Sequence, residues 1–155
     1  MPGPVRIGVI SDTHGLLRPQ AAHALRGVDG IVHAGDIGSA GILLALERIA
    51  PVAAIRGNND RAAWAARIPD QRVVEYGGKR IYLLHDRNDL PFHPSPEGCD
   101  VIVTGHSHKP AMERRNGVLY LNPGSAGPRR FRLPVTVALL SIGVTLDAHI
   151  IELLV

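Results

Sequence analysis

Short apolar runs that stop at polar clusters set the rhythm of the chain. Val5-Arg6-Ile7-Gly8-Val9-Ile10 reads as a buried strand and halts at Ser11-Asp12-Thr13-His14-Gly15. A helix is predicted over 18–27, with Pro19 in its first turn and Gly27 past its end. A second strand at 30–33 stops at Gly35-Asp36. A second helix follows over 39–50, with Ser39 as its cap and Ile42, Leu43, Leu46 and Ile49 as its apolar face. A third strand, 52–55, runs into Gly57-Asn58-Asn59-Asp60. Strand, helix, strand, helix, strand predicts a parallel sheet with right-handed crossovers.

The second half changes period. Residues 72–76 and 79–84 flank Gly77-Gly78 as a β-hairpin, and 101–104 is a further apolar strand. Residues 113–115 and 118–121 flank Asn116-Gly117, the strongest two-residue hairpin signal. Two closing strands, 135–142 and 145–154, lie around Gly143. Between Asp86 and Gly98, Pro91, Pro94 and Pro96 argue against a long helix. No repeat or linker interrupts this order, and the expectation is one α/β domain over residues 1–155.

Composition narrows the function classes. Hydrophobic residues at 45% and charged residues at 20% describe a globular chain rather than a disordered one. No apolar run approaches the roughly 18 residues that span a bilayer, and the N-terminus lacks the pattern of a secretory signal. With Cys99 alone no internal disulfide is possible, so the expectation is a cytoplasmic protein with no membrane partner. A net charge of +3 is too small to argue for nucleic-acid binding and suits an anionic substrate.

The polar clusters share one chemistry. Asp12 and His14, Asp36, Asn58, His85, His106 and His108 each follow a predicted strand, and open α/β sheets bind ligands outside the carboxyl ends of their strands. Residues two apart in extended chain point the same way, so His106 and His108 can reach one site. Aspartate, histidine and asparagine are oxygen and nitrogen donors for first-row divalent metals. Four histidines and two aspartates exceed the needs of one zinc, and a site for two ions fits better. Taken singly, Asp12 reads equally as a helix cap, His14 as a loop residue and Asp36 as a turn former. The reading rests on all the strand ends together.

In this order, Asp12-Thr13-His14, Gly35-Asp36, Gly57-Asn58-x-Asp60, His85, Gly105-His106-Ser107-His108 and Asn122-Pro123-Gly124-Ser125 resemble the calcineurin-like metallophosphoesterases. The short length and the Asn-Pro-Gly-Ser motif are similar to the small bacterial and archaeal phosphodiesterase branch. The resemblance implies a four-layer α/β/β/α sandwich. It implies that Asp12, His14 and His108 bind one divalent ion, that Asn58, His85 and His106 bind a second, and that Asp36 bridges them. Manganese is the implied ion for activity, with iron, zinc, cobalt or nickel as alternatives. The implied reaction is hydrolysis of a small phosphodiester by a hydroxide bridging the ions, with Asn58 stabilising charge on the phosphoryl oxygens. The chain also resembles the scaffold subunit of the retromer complex, a non-catalytic alternative on the same fold. The intact ligand set, His85 included, favours the enzyme. A phosphomonoesterase is a third reading, and a homodimer is the implied assembly.

Two positions depart from the family pattern. Many catalytic relatives carry histidine after the motif asparagine, where this chain has Asn59, whose amide cannot supply a proton. Glycine usually follows the histidine equivalent to His85; here Asp86 either accepts an unusual backbone conformation or orients His85. Asp60 is expected to orient site groups, His33 to be a buried histidine near the site, and Arg129, with Arg130 and Arg132, either to hold phosphate or to form a solvated loop. His23, His93 and His149 read as surface residues, Cys99 as structural, and Trp64 and Phe131 as packing or interface residues. Aromatic residues at only 4% argue against a stacking platform and against a single-stranded nucleic acid polymer as substrate.

Overall fold

The computed structural model describes residues 3–90 and 98–155. Among the described residues ten strands form two five-stranded sheets. In the first sheet β1 (Val5–Ile10), β2 (Gly30–His33) and β3 (Val52–Ala54) run parallel, joined by α1 (Pro19–Ala24) and α2 (Ala40–Glu47). The last two strands, β9 (Thr136–Ile142) and β10 (Leu146–Glu152), return antiparallel on the other side of β1. The parallel sheet expected from the first half is therefore completed as a mixed one.

The second sheet is also mixed. β5 (Lys79–Leu84), β6 (Val101–Val103) and β8 (Val118–Asn122) are parallel. β4 (Gln71–Tyr76) and β7 (Ala111–Arg115) form antiparallel edges. The Asn116-Gly117 turn joins β7 to β8 with both residues at positive φ, 50° and 80°, as the two-residue hairpin requires.

Period-2 alternation sorts the strand side chains into layers. Ile7, Val9, Val32, Ala138 and Leu140 meet Ile81, Leu83, Val101, Val103, Leu119 and Leu121 in a core between the sheets. The opposite residues of the first sheet, Ile10, Ile31, Val137 and Leu139, pack under α1 and α2. There Ile42 and Leu46 are buried, with Leu43 and Ile49 beside them, as the helical period predicts. α2 ends at Glu47, three residues before the expected end, because Pro51 disfavours helix just before it. Both Ile49 and Ala50 donate instead to Leu46 O.

On the outer face of the second sheet Tyr82, Leu84, Ile102, Val118 and Tyr120 form a smaller cluster. Among the described residues its helical layer is the 3₁₀ turn Arg87–Asp89, where Arg87 lies 4.5 Å over the Tyr120 ring. This is the α/β/β/α order, thinnest at its fourth layer. His93 and the three prolines of the 86–98 stretch lie outside the described residues. Trp64 packs beneath the first sheet and Cys99 beside the outer cluster, where burial pushes its thiol up. His23 and His149 are exposed.

Candidate metal centre

The carboxyl ends of β1, β2, β3, β5, β6 and β8 all open onto one edge, and the loops there turn sharply. Seven described residues other than glycine have positive φ, and five of them are ligand candidates: Asp12, His14, Asp36, His106 and His108. That region is strained for most side chains, and clustered strain marks a functional site. The loops are also pressed together. A Cβ on Gly57 would lie 2.2 Å from Asp36 Oδ1, and one on Gly105 2.0 Å from Ser11 Oγ. Only glycine lets these backbones approach so closely.

Two triads of donor atoms result, Asp12–His14–His108 and Asp12–Asp36–His85, each within 4.8 Å. Asp12 Oδ1 stands 3.7 Å from His14 Nε2, 3.8 Å from His85 Nε2 and 3.4 Å from His108 Nε2. Asp36 Oδ2 stands 3.8 Å from His14 Nε2 and 3.2 Å from His85 Nε2. Asp12 Oδ1, His14 Nε2, His85 Nε2 and His108 Nδ1 are buried without a hydrogen-bond partner among the described residues. Buried polar atoms are nearly always satisfied, so the orphaned His14 Nε2 and His85 Nε2, close to the orphaned Asp12 Oδ1, fit a bound cation. Their chemistry, carboxylate oxygen and imidazole nitrogen, suits a first-row divalent ion.

In Asp12 and His85 the other atom of the same group is tied down. Asp12 Oδ2 accepts from Ser11 Oγ at 2.7 Å and from the His106 N–H at 3.1 Å, which turns Oδ1 to the histidines. His85 Nδ1–H donates to Ala34 O at 2.7 Å, leaving Nε2 as a lone pair facing Asp36. Such outer partners fix the tautomer of a ligating histidine. Asp36 accepts the Asn59 N–H at 3.0 Å and the Asn59 side-chain amide at 3.4 Å.

A further set of bonds locks loop to loop. Buried Asp60 accepts from the N–H groups of Gly57, Ile37 and Gly38 at 2.9, 3.0 and 3.1 Å. His33 Nδ1 accepts the Gly35 N–H at 3.1 Å, so Nε2 carries the hydrogen and donates to Thr13 Oγ1 at 3.0 Å. Thr13 passes the chain on to Ile37 O at 2.7 Å. Asn122 donates to Gly105 O and Ser107 Oγ at 3.0 and 3.1 Å, while Ser125 Oγ donates to Asp12 O at 3.1 Å. The Asn-Pro-Gly-Ser motif is thus the clamp on both flanking loops.

Charge follows this geometry. Burial alone would raise the Asp12 carboxyl, but His108, His14 and Ser11 outweigh it and hold it well below the usual carboxylate range. Asp36 is lowered too: His85 and the Asn59 N–H overcome burial. His14 is raised, chiefly by Asp12, against burial and the charge of Arg130. Burial would lower His85, yet Asp36 and Asp12 raise it. The carboxylate charge that draws protons to these imidazoles would draw a divalent cation equally well. Fully buried His33 moves the other way, lowered by burial to about 4, and is neutral.

The remaining candidates border this group. The His106 ring stands edge-on to His85 at 5.2 Å and is partly exposed. Asn58 is exposed and shares a pocket with His85, Arg56, Arg61 and Gln71. Asp86 has ordinary extended backbone (φ −113°, ψ 122°), so the unusual conformation expected at this position is not adopted. It caps the 3₁₀ turn through Asn88 N and turns Oδ2 to His106 Nε2 at 3.7 Å. Arg129 is exposed, and Arg130 is the arginine whose charge reaches His14. Ser11, Thr13, Asn59 and the Ala34 carbonyl were not singled out from sequence for these roles.

Residues 5–144 match the model of the calcineurin-like phosphoesterase superfamily domain. A probable metallophosphoesterase of Methanothermobacter thermautotrophicus is 38% identical over 158 residues, which cover 94% of this chain and 91% of that protein. The solved structure of an archaeal phosphodiesterase has a TM-score of 0.81 at 25% identity, over 96% of this chain and 99% of its own. Vacuolar protein sorting 29 of Cryptosporidium parvum has a TM-score of 0.82 at 23% identity, over 99% and 93%, a likeness of fold. No helix among the described residues is long and apolar enough to cross a membrane.

Proposed function

Because the chain belongs to the calcineurin-like phosphoesterase superfamily, we propose that it is a phosphodiesterase working with two divalent metal ions. Four buried donor atoms without hydrogen-bond partners among the described residues, on two loops and the end of β5 and beside the Asp36 carboxylate, are the observation that carries this reading. Asp12, His14 and His108 hold one ion; His85, Asn58 and His106 hold the other; Asp36 is shared. Asp36 Oδ2 reaches both His14 and His85, which supports its sharing, and Asp12, common to both triads, stands beside it. When bound, such ions polarise phosphoryl oxygens and lower the pKa of water.

The chain's own groups do the rest. Ser11, Asn59, Ala34 and the His106 N–H hold the ligands in place before any substrate arrives, so little reorganisation is needed. Asn58 stands exposed at the pocket beside His85 and neutralises charge on a phosphoryl oxygen by donating its amide hydrogens. Asn59 has no acidic proton to give a departing alkoxide. The enzyme therefore favours esters with good leaving groups, such as aryl phosphodiesters. The archaeal phosphodiesterase supports a diester over a monoester.

The test is hydrolysis of bis(p-nitrophenyl) phosphate and p-nitrophenyl phosphate by chelator-stripped protein given manganese, zinc, magnesium or nothing, with Asp36→Ala in parallel. Metal-dependent diester turnover that vanishes in Asp36→Ala is expected. Faster monoester turnover would make the protein a phosphomonoesterase. Protein that binds two ions by calorimetry and turns over neither ester would move the assignment to a scaffold.

A further inference from the structure

The stretch Pro128-Arg129-Arg130-Phe131-Arg132 holds an aromatic ring that the fold does not use. Phe131 is 88% exposed, so packing does not explain it. The Leu133 N–H donates to Arg130 O at 3.1 Å and closes a tight turn with Phe131 at its first central position. Phe131 has φ 55° there, where turns take glycine, asparagine or aspartate. A bulky side chain is thus held in a strained conformation only to stand in solvent, and such outliers point to function.

Its surroundings are cationic and adjoin the metal centre. Lys109, next to His108, lines an open depression with Phe131, Arg132 and Leu133. Among the described residues Lys109, Arg129, Arg130 and Arg132 form no ion pair with a carboxylate. The turn is rooted on the first ligand loop: Arg18 Nε donates to Gly127 O at 3.2 Å, and the Ala126 N–H to Ser11 O at 3.1 Å.

We propose that Phe131 and its flanking arginines select a nucleotide ester as substrate, with the base stacked on the ring and a phosphate held by the guanidinium groups. This rests on the phosphodiesterase reading and names its substrate class. A π-face accepts any base, and guanidinium forks match phosphate oxygens. One ring serves one base, so the substrate is a mononucleotide ester rather than a run of single strand. The low aromatic content of the sequence is compatible with this, because one exposed ring suffices.

Calorimetry of the full manganese-loaded chain with thymidine monophosphate and with ribose 5-phosphate tests the proposal. The nucleotide is expected to bind roughly 5- to 100-fold more tightly, the range of one stacked base. Phe131→Ala should remove that advantage and Phe131→Tyr should keep it. Equal affinities in the wild type, or an advantage that survives Phe131→Ala, would overturn it. So would a wild-type dimer that Phe131→Ala splits without changing nucleotide preference, since the ring would then serve self-association. Hydrolysis of methyl p-nitrophenyl phosphate, run in parallel, reports on the phosphodiesterase reading separately. Its failure would sink that reading, while the two affinities still decide the role of Phe131.

Discussion

His33 should make the metal-free protein lose stability on acidification. Its ring is fully buried and neutral, with both nitrogens bonded, and its pKa lies at about 4 against an ordinary 6.5. The unfolded chain therefore takes up a proton first, and stability falls as pH drops through the window between those values. From pH 8 to 5 this one group removes about 2 kcal/mol, and below pH 4 the loss levels off at about 3.4 kcal/mol. Moving the folded value by a unit in either direction changes the loss at pH 5 by less than about 0.5 kcal/mol. The assay is urea unfolding in chelator at pH 8, 7, 6 and 5, for wild type and His33→Gln. The variant starts less stable, because it breaks the bonds to Gly35 and Thr13, but its stability should fall less with pH. His14 and His85, whose values are raised, contribute with the opposite sign, and subtracting one protein from the other removes them. Parallel pH profiles for the two proteins would refute the claim that His33 is held neutral.

Two further changes probe the site. Asn59→His places a proton donor beside Asp36 and should raise turnover of alkyl phosphodiesters by about 10²-fold or more. Steady-state rates against a series of leaving groups check this, and an unchanged slope would reject the missing acid as the cause of the leaving-group preference. Gly57→Ala puts a Cβ 2.3 Å from the Asp36 backbone nitrogen, which cannot swing aside. A stability loss of about 1–3 kcal/mol by urea unfolding and ion binding about 10-fold or more weaker by calorimetry are expected. Normal ion affinity would show that Asp36 is less tightly placed than the contact implies.

The elements were legible because burial has a period. Alternation along Ile7–Val9 and Leu119–Leu121, and the spacing of Ile42 and Leu46, place strands and helix before any coordinates. Boundaries were less so: α2 stops early because Pro51 acts backwards on residues whose own pattern continues. Mixed sheets were hidden because strand direction depends on partners. β9 pairs with β1 from more than a hundred residues away. The same holds for the groups that support the ligands. Ser11 is an ordinary serine until the Gly105 loop arrives from 94 positions on, and Ala34 offers only a carbonyl. Arg129 and Arg130 lie in an exposed loop without periodicity, so nothing in the chain says which one reaches His14. Asp86 shows the limit most clearly, since its backbone is ordinary and its carboxylate turns to His106 rather than to its neighbour His85.

The candidate ligands were legible for a reason that joins backbone to chemistry. Five of them sit at positive φ, and each such residue costs on the order of 1–3 kcal/mol unless its side chain eases the strain. Aspartate, asparagine and histidine are the residues other than glycine most often found there. They are also the oxygen and nitrogen donors that first-row ions take. Turn former and metal ligand are therefore not rival readings of Asp12, Asp36 or His108: a sharp turn at a strand end is what aims a short donor back over the sheet edge. The turns differ in what holds them. Thr13, His33, Asp60 and Asn122 spend buried hydrogen bonds on the ligand loops. Phe131 stands at the same kind of backbone with neither a donor atom nor a packing partner. The principle that accounts for the five candidate ligands thus leaves Phe131 unexplained, and directs attention to the substrate.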